Sequence, residues 1–317
     1  MSNDPHFKKK KIIVILGPTA SGKTKLAVKL AVEFNGEIVS ADSRQVYRGM
    51  DIGTGKDLGE YKIYTPYHLI DIVSPKTQFS LAKYQKLAYE AIDDIIAREK
   101  TPILTGGTGL YIQAVVDGMP LAPVKPNIKL RGKLEKWKHE ELLLKLKEMD
   151  PALKDEMIQN NKRRMIRYIE IMEKCKNPIT KLWAEQKKES KYDCLLLGVL
   201  PNNTSIYPLE VGYRESLNTK IDQRIDIRLK KEKMVEEVVR LHKEGTSWKR
   251  LESFGLEYKF IAEYLQDKLG YNEMVNLLKI ATRQFAKRQM TWFKRDKRIK
   301  WISHYNEAKN LIKKFLR

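Results

Sequence analysis

Hydrophobic positions recur along this chain with two different periods, and the changes of period divide it. Ile12-Ile13-Val14-Ile15-Leu16 is a continuous apolar run of strand length, bounded by lysines and a glycine, as expected of a strand buried on both faces. From residue 26 the spacing lengthens. Leu26, Ala27, Leu30, Ala31 and Phe34 recur at helical intervals, which predicts a helix packed on a sheet. Ile38-Val39 is a second strand signal, and Leu81, Tyr84, Ala88, Ala91, Ile92, Ile95 and Ile96 mark one side of a helix over 81–98. Pro102-Ile103-Leu104 then leads into a glycine turn. Strand, helix and strand in alternation predict a parallel α/β sheet with ligand sites at the carboxyl ends of its strands.

The texture changes at Pro120. Pro123 and Pro126 mark a boundary, and residues 129–189 are rich in Lys, Glu, Leu and Met with no strand alternation. They predict an inserted all-helical domain. Leu195-Leu196-Leu197-Gly198-Val199-Leu200 returns as a short buried strand, after which helices dominate. The expected layout is a core over 1–122, a helical insertion over 123–190, and a return to the core with C-terminal helices over 191–317. There is no internal repeat.

The first strand runs straight into Gly17-Pro18-Thr19-Ala20-Ser21-Gly22-Lys23-Thr24, a full G-x-x-x-x-G-K-T pattern with a helix directly behind it. Such a turn points backbone N–H groups inward, and the helix adds its positive N-terminal end, so a diphosphate is held with little further help. Lys23 supplies a mobile positive charge, and the Thr24 hydroxyl suits Mg²⁺. This makes the core a P-loop NTPase-like fold. The cradle reads phosphates and ignores what they are attached to.

Composition narrows the partner. Across 317 residues, 61 Lys and Arg against 40 Asp and Glu give a formal net charge of +21, an excess that favours a polyanion over a neutral metabolite alone. The two cysteines, Cys175 and Cys194, form no C-x-x-C motif. They are expected to be buried and inert rather than part of a disulfide framework or zinc site. The apolar run after Lys8 to Lys11 is too short for a signal peptide, and no run approaches twenty residues, so a cytoplasmic protein without a membrane partner is expected.

After the second strand comes Asp42-Ser43-Arg44-Gln45-Val46-Tyr47-Arg48-Gly49-Met50-Asp51-Ile52-Gly53-Thr54. With His68-Leu69-Ile70-Asp71, the turn Gly106-Gly107-Thr108-Gly109-Leu110-Tyr111 and the late segment Thr282-Arg283-Gln284-Phe285-Ala286-Lys287-Arg288-Gln289-Met290-Thr291-Trp292, this string resembles the tRNA dimethylallyltransferases. The resemblance covers nearly the whole chain. It is strongest over 12–118 and 278–293, and weakest over 125–190.

That resemblance implies transfer of a dimethylallyl group from dimethylallyl diphosphate to the N6 amine of the adenosine on the 3′ side of the tRNA anticodon. It implies that Asp42 accepts the amine proton, that Thr108 and an arginine contact the diphosphate, and that Gln45, Tyr47 and Ser43 belong to the substrate-facing wall. Arg224 is the positional match for the arginine, with Arg228 its competitor. Asp42 could instead orient Mg²⁺ as a Walker-type carboxylate, and Tyr47 could be core packing.

On a helical wheel, 278–295 places Leu278, Ala281, Phe285, Ala286, Trp292 and Phe293 on one face. Arg283, Gln284, Lys287, Arg288, Thr291 and Arg295 lie on the other, a candidate RNA-phosphate face. From Lys279 to Arg317 there are thirteen Lys or Arg and two acids. In the insertion, Lys162-Arg163-Arg164 with Arg167 reads equally as RNA contact or solvated surface. A stacked adenine cannot reach a buried carboxylate, so the base is expected to be flipped.

The chain departs from the family at Leu256-Glu257-Tyr258-Lys259, where Glu257 stands in place of a glycine, which leaves the loop path there open. A small-molecule kinase and an enzyme prenylating free adenine nucleotides are the competing readings, and a monomer is expected.

Overall fold

The computed structural model describes residues 9–56, 64–122, 124–158, 161–185, 190–200 and 212–317. Lys8, Pro123 and the end of the expected insertion, 186–189, lie outside the described residues. Internal contacts divide the chain into two units, one combining Met1–Val116 with Ser190–Arg317 and one spanning Asp117–Glu189.

The first unit is built on a six-stranded sheet. Its strands are β1 (Lys11–Leu16), β2 (Gly36–Ser40), β3 (Tyr67–His68), β4 (Thr101–Gly106), β5 (Asp193–Val199) and β6 (Lys300–Ile302). The order is β3-β2-β4-β1-β5-β6, with parallel pairing throughout. Ile13 stands opposite both Ile103 and Leu195, so β1 is central, and its unbroken apolar run follows from having two faces to cover. Ile12, Val14 and Leu16 pack with Tyr84, Ala88 and Ile92 of α2 (Leu81–Ala97) and Ile112 of α3 (Gly109–Val116). Ile13 and Ile15 pack with Ala27 and Leu30 of α1 (Lys23–Glu33) and Ile312 of α14 (Tyr305–Leu316). Strands β3 and β6 carry no sequence signal. Two and three residues are too short to show alternation, and β6 falls in a stretch expected to be helical.

Five helices join this sheet in the same unit: α9 (Gly212–Lys230), α10 (Met234–Lys243), α11 (Trp248–Phe254), α12 (Leu256–Tyr264) and α13 (Tyr271–Phe293). Their core, with Ile221, Val238, Tyr258, Ile261 and Leu278, also takes up Val46, Tyr47 and Met50 from the segment after Asp42. That segment is thereby fixed to the helices.

The second unit comprises α4 (Ile128–Leu134), α5 (His139–Met149), α6 (Asp155–Ile158), α7 (Lys162–Cys175) and α8 (Ile179–Glu185), around Leu142, Leu146, Met165 and Ile169. Its buried Glu170 accepts from Arg131 at 2.9 and 2.7 Å, from the Asn127 amide at 2.5 Å, and from Arg167. Arg167 also donates to the Val124 carbonyl at 2.9 Å, and Lys162 to the Glu135 and Trp137 carbonyls at 2.7 Å each. Half of the basic cluster is thus committed inside the unit, while Arg163 is exposed. Cys175 and Cys194 are half-buried rather than enclosed as expected. Among the described residues, no helix is long and apolar enough to cross a membrane.

Candidate active site

At the end of β1 the chain turns through Ala20 at φ 61° and Gly22 at φ 86°. The second value lies in the left-handed region that glycine adopts without strain, and Lys23 follows as the first residue of α1. Lys23 Nζ donates to the Pro18 carbonyl at 3.2 Å. Burial pulls its pKa from 10.5 down to about 8, with Asp42 opposing the shift and Arg224 adding to it. Thr19, Ala20, Gly22, Lys23 and Thr24 line a cavity of about 770 Å³. Gly17, Pro18 and Ser21 shape the turn without lining the cavity, and Ser21 is buried.

One amide of the turn does not point inward as expected. The Thr19 N–H donates to Gln289 Oε1 at 2.9 Å, while Gln289 Nε2 donates to the Gly107 carbonyl at 2.8 Å. Gln289 therefore clamps both glycine turns from α13. Nothing in the local sequence marks it, since its partners lie 270 and 182 residues away. The clamp requires close approach: a Cβ at Gly109 would overlap the Trp292 ring.

Asp42 lines the same cavity as the P-loop, beside Ser43, Arg44, Gln45 and Thr108. Its carboxylate accepts the Arg44 amide at 2.8 Å. Thr108 Oγ1 accepts the Ser43 amide at 3.0 Å, and its O–H donates to Ser43 Oγ at 3.4 Å, a long bond that an occupant's oxygen could replace. Both candidate arginines line the cavity. Arg224 donates to the Thr19 hydroxyl, whereas Arg228 is buried against Gly55. Arg224 is therefore the arginine beside the phosphate turn.

The wall formed by 44–56 is held by side chains that sequence reading missed. Glu237, 5 % exposed, accepts the consecutive amides of Asp51, Ile52 and Gly53 at 2.8, 2.8 and 3.1 Å, and the Tyr258 hydroxyl at 2.8 Å. Lys56, buried, donates to the Tyr47 carbonyl at 2.6 Å and pairs with Asp51 at 2.8 Å and Asp71 at 2.5 Å. Gln45 lines the cavity, but its amide is spent on Ser40 Oγ at 3.0 Å and on the Thr54 and Gly55 carbonyls. Tyr47, expected on the substrate-facing wall, is core: it is buried edge-on against Phe254, with ring centroids 4.9 Å apart, and does not line the cavity.

Glu257 also lies elsewhere than expected. The left-handed conformations fall on Gly255 and Leu256, at φ 74° and 43°, and Glu257 follows in the first turn of α12, lining the cavity. Burial pushes its carboxyl pKa up, against the field of Arg228, Arg224 and Arg44. Burial likewise pulls the Arg44 guanidinium down.

On α13, Gln284, Lys287, Arg288 and Thr291 are exposed as expected, as is Arg295 just beyond the helix end. Arg283 is not presented freely: its guanidinium is paired with both oxygens of Asp222, with Nε at 3.0 Å. Phe285 and Trp292, placed on the packing face, line the cavity instead, together with Arg288.

A parallel sheet whose central strand ends in a G-x-x-x-x-G-K-T turn, with a carboxylate just past the end of β2, one strand further over, defines a P-loop enzyme core. The sequence profile described as IPP transferase matches residues 45–296. The chain is 42% identical over 97% of its length to tRNA dimethylallyltransferase 1 of Syntrophus aciditrophicus, covering 99% of that protein. It is similar to the crystal structure of the full-length tRNA isopentenylpyrophosphate transferase from Bacillus halodurans, with TM-score 0.68 and 33% identity over 98% of this chain and 96% of that one. A eukaryotic dimethylallyltransferase captured acting on tRNA matches with TM-score 0.74 and 28% identity, over 89% of this chain and 69% of that one. The chain belongs to the IPP transferase family.

Proposed function

We propose that this protein transfers a dimethylallyl group from dimethylallyl diphosphate to the N6 amine of the adenosine 3′-adjacent to the anticodon in tRNA, releasing diphosphate. The observation that carries the reading is that Asp42 shares one cavity with Lys23, Thr24, Thr108 and Arg224. A proton acceptor and a diphosphate cradle thus face the same space.

An adenine amine is a weak nucleophile because its lone pair is delocalised into the ring. As the C–N bond forms and the allylic C–O bond breaks, one amine proton passes to the Asp42 carboxylate and the electron pair of the C–O bond leaves with diphosphate. Lys23, Arg224, the Thr108 hydroxyl and the free turn amides stabilise the charge that grows on the leaving group, which lowers the transition state more than the ground state.

The residues present fit Mg²⁺. The Thr24 hydroxyl lines the cavity, and among the described residues no group of three or more His, Cys, Asp or Glu forms an all-protein metal cage. An ion carried mainly by diphosphate oxygens, water and Thr24 is the coordination Mg²⁺ prefers. When bound, it would add positive charge at the leaving group.

The exposed Lys287 and Arg288 on α13 are suited to tRNA phosphates. The test is to incubate the protein with Mg²⁺, labelled dimethylallyl diphosphate and either tRNA or AMP. Label should move to tRNA with no ATP required. ATP hydrolysis without prenylated tRNA, or label on AMP alone, would replace this reading with one of its competitors.

A further inference from the structure

Glu257 is a carboxylate that the reaction outlined above does not use. It is 8 % exposed, lines the cavity and sits on the rigid first turn of α12. Arg228, Arg224 and Arg44 act on it through their charge. Among the described residues, however, no side chain hydrogen-bonds to it or approaches within ion-pairing distance. By contrast, the buried Glu237 and Glu170 are each met by several donors. Its own backbone N–H is the donor it does have. Buried carboxylates are ordinarily satisfied by several donors, and one that lines a cavity with acceptor sites left over can receive a further donor from the occupant.

The occupant's chemistry narrows the choice. Dimethylallyl diphosphate brings hydrocarbon and anionic oxygens, neither of which donates. An adenine base brings two donors, the N–H groups of its exocyclic amine. Asp42 takes one. Gln45 Oε1 already receives Ser40 Oγ–H at 3.0 Å, and Thr108 Oγ1 already receives the Ser43 amide at 3.0 Å. We propose that Glu257 is a binding residue for the acceptor nucleoside, receiving the amine N–H that Asp42 does not take. Adenine would then be selected by two carboxylates on two donors, and a base bearing a carbonyl oxygen at that position would face two negative charges.

This rests on the tRNA-prenylating reading, and the experiment separates the two. Anticodon stem-loop RNAs carrying adenosine, purine riboside (which lacks the amine) or 2′-deoxyadenosine at the target position are bound to the protein in the presence of Mg²⁺ and inorganic diphosphate. Wild type should prefer adenosine to purine riboside. Glu257→Ala and Glu257→Leu should reduce that preference about 10-fold while binding the purine RNA like wild type, and Glu257→Gln, whose carboxamide oxygen still accepts, should retain most of it. As an arm independent of any variant, N6-methyladenosine keeps one N–H and should bind wild type more weakly than adenosine.

An unchanged adenosine preference in folded Glu257→Ala and Glu257→Leu would overturn the proposal. So would a loss confined to the comparison with 2′-deoxyadenosine, which would assign Glu257 to the ribose hydroxyl. Equal binding of adenosine and N6-methyladenosine by wild type would also overturn it. Failure of the wild type to prenylate tRNA would remove the parent reading instead.

Discussion

Two parts of one cavity lining are made in opposite ways. The part proposed to hold the diphosphate is presented by one short turn, Gly17 to Thr24, of which Thr19, Ala20, Gly22, Lys23 and Thr24 line the cavity; its affinity for anions would reside in backbone amides and a helix end. The acceptor part is a stretch of loop, 42–56, that makes little secondary structure of its own. It is frozen by Glu237 and Tyr258, with Arg228 packed on Gly55, all more than 170 residues further along. Phosphates need a local shape. A pocket for a purine needs a wall, and a wall made of loop needs carboxylates and buried cations to satisfy its backbone.

Separating the two parts by mutation is the first way to sharpen this contrast, and it carries the largest expected effect. Asp42→Asn should slow the single-turnover transfer step by about 10²–10⁴ while leaving the affinity for dimethylallyl diphosphate near that of wild type. Lys23→Ala should do the reverse, weakening the donor's binding as its main effect. Equilibrium dialysis with the donor, run beside rapid-quench kinetics, reads both quantities.

Stability should split along the same line. Glu237→Ala strips three backbone amides and a buried hydroxyl of their acceptor and should lower the unfolding free energy by about 2–4 kcal/mol in urea titrations. Lys23→Ala touches no such network and should change it far less. Equal losses would mean that the two parts are not built differently after all.

The same contrast explains what could be read in the sequence. The P-loop was legible because all of its information lies within eight residues, and the sheet was legible because β1 is apolar without interruption. Gln289 and Glu237 were not, since a glutamine on a basic helix and a glutamate on an amphipathic one look like solvated surface until their partners, 182 to 270 residues away, are known. Arg283 was misjudged for a related reason: the wheel placed it correctly on the polar side, but a wheel cannot show that Asp222 of α9 packs there. Tyr47 and Glu257 exchanged expectations. The aromatic ring went to the core, and the acid, whose position was taken for a loop, went to the cavity once Gly255 and Leu256 had absorbed the left-handed turn.

A third test uses pH. In the proposed reaction Lys23 meets diphosphate as a cation, and burial pulls its pKa down to about 8, so kcat/KM for the donor should fall about tenfold per pH unit above that value. Bound diphosphate favours the charged amine, so the corresponding limb in kcat should move to higher pH. Lys23→Arg, which stays protonated, should abolish the limb.

The smallest effect concerns α13. Neutralising Lys287 and Arg288 together should reduce the slope of log binding constant against log salt for tRNA by about 1.4, at roughly 0.7 per phosphate contact. Arg283→Ala should leave the slope unchanged, because that charge is already paired with Asp222.

The central claim is that bond breaking at the phosphate part and proton removal at the acceptor part form one event in one cavity. The fate of the allylic label in a single turnover tests it most directly. Wild-type and Asp42→Asn protein are loaded with Mg²⁺ and labelled dimethylallyl diphosphate, mixed with excess tRNA and quenched over time. The account predicts that in wild type the label passes to the adenosine N6 as diphosphate appears, and that in Asp42→Asn it stays in intact donor. Release of labelled alcohol and diphosphate by Asp42→Asn at the wild-type rate would show that the C–O bond breaks without the proton acceptor, and would contradict it.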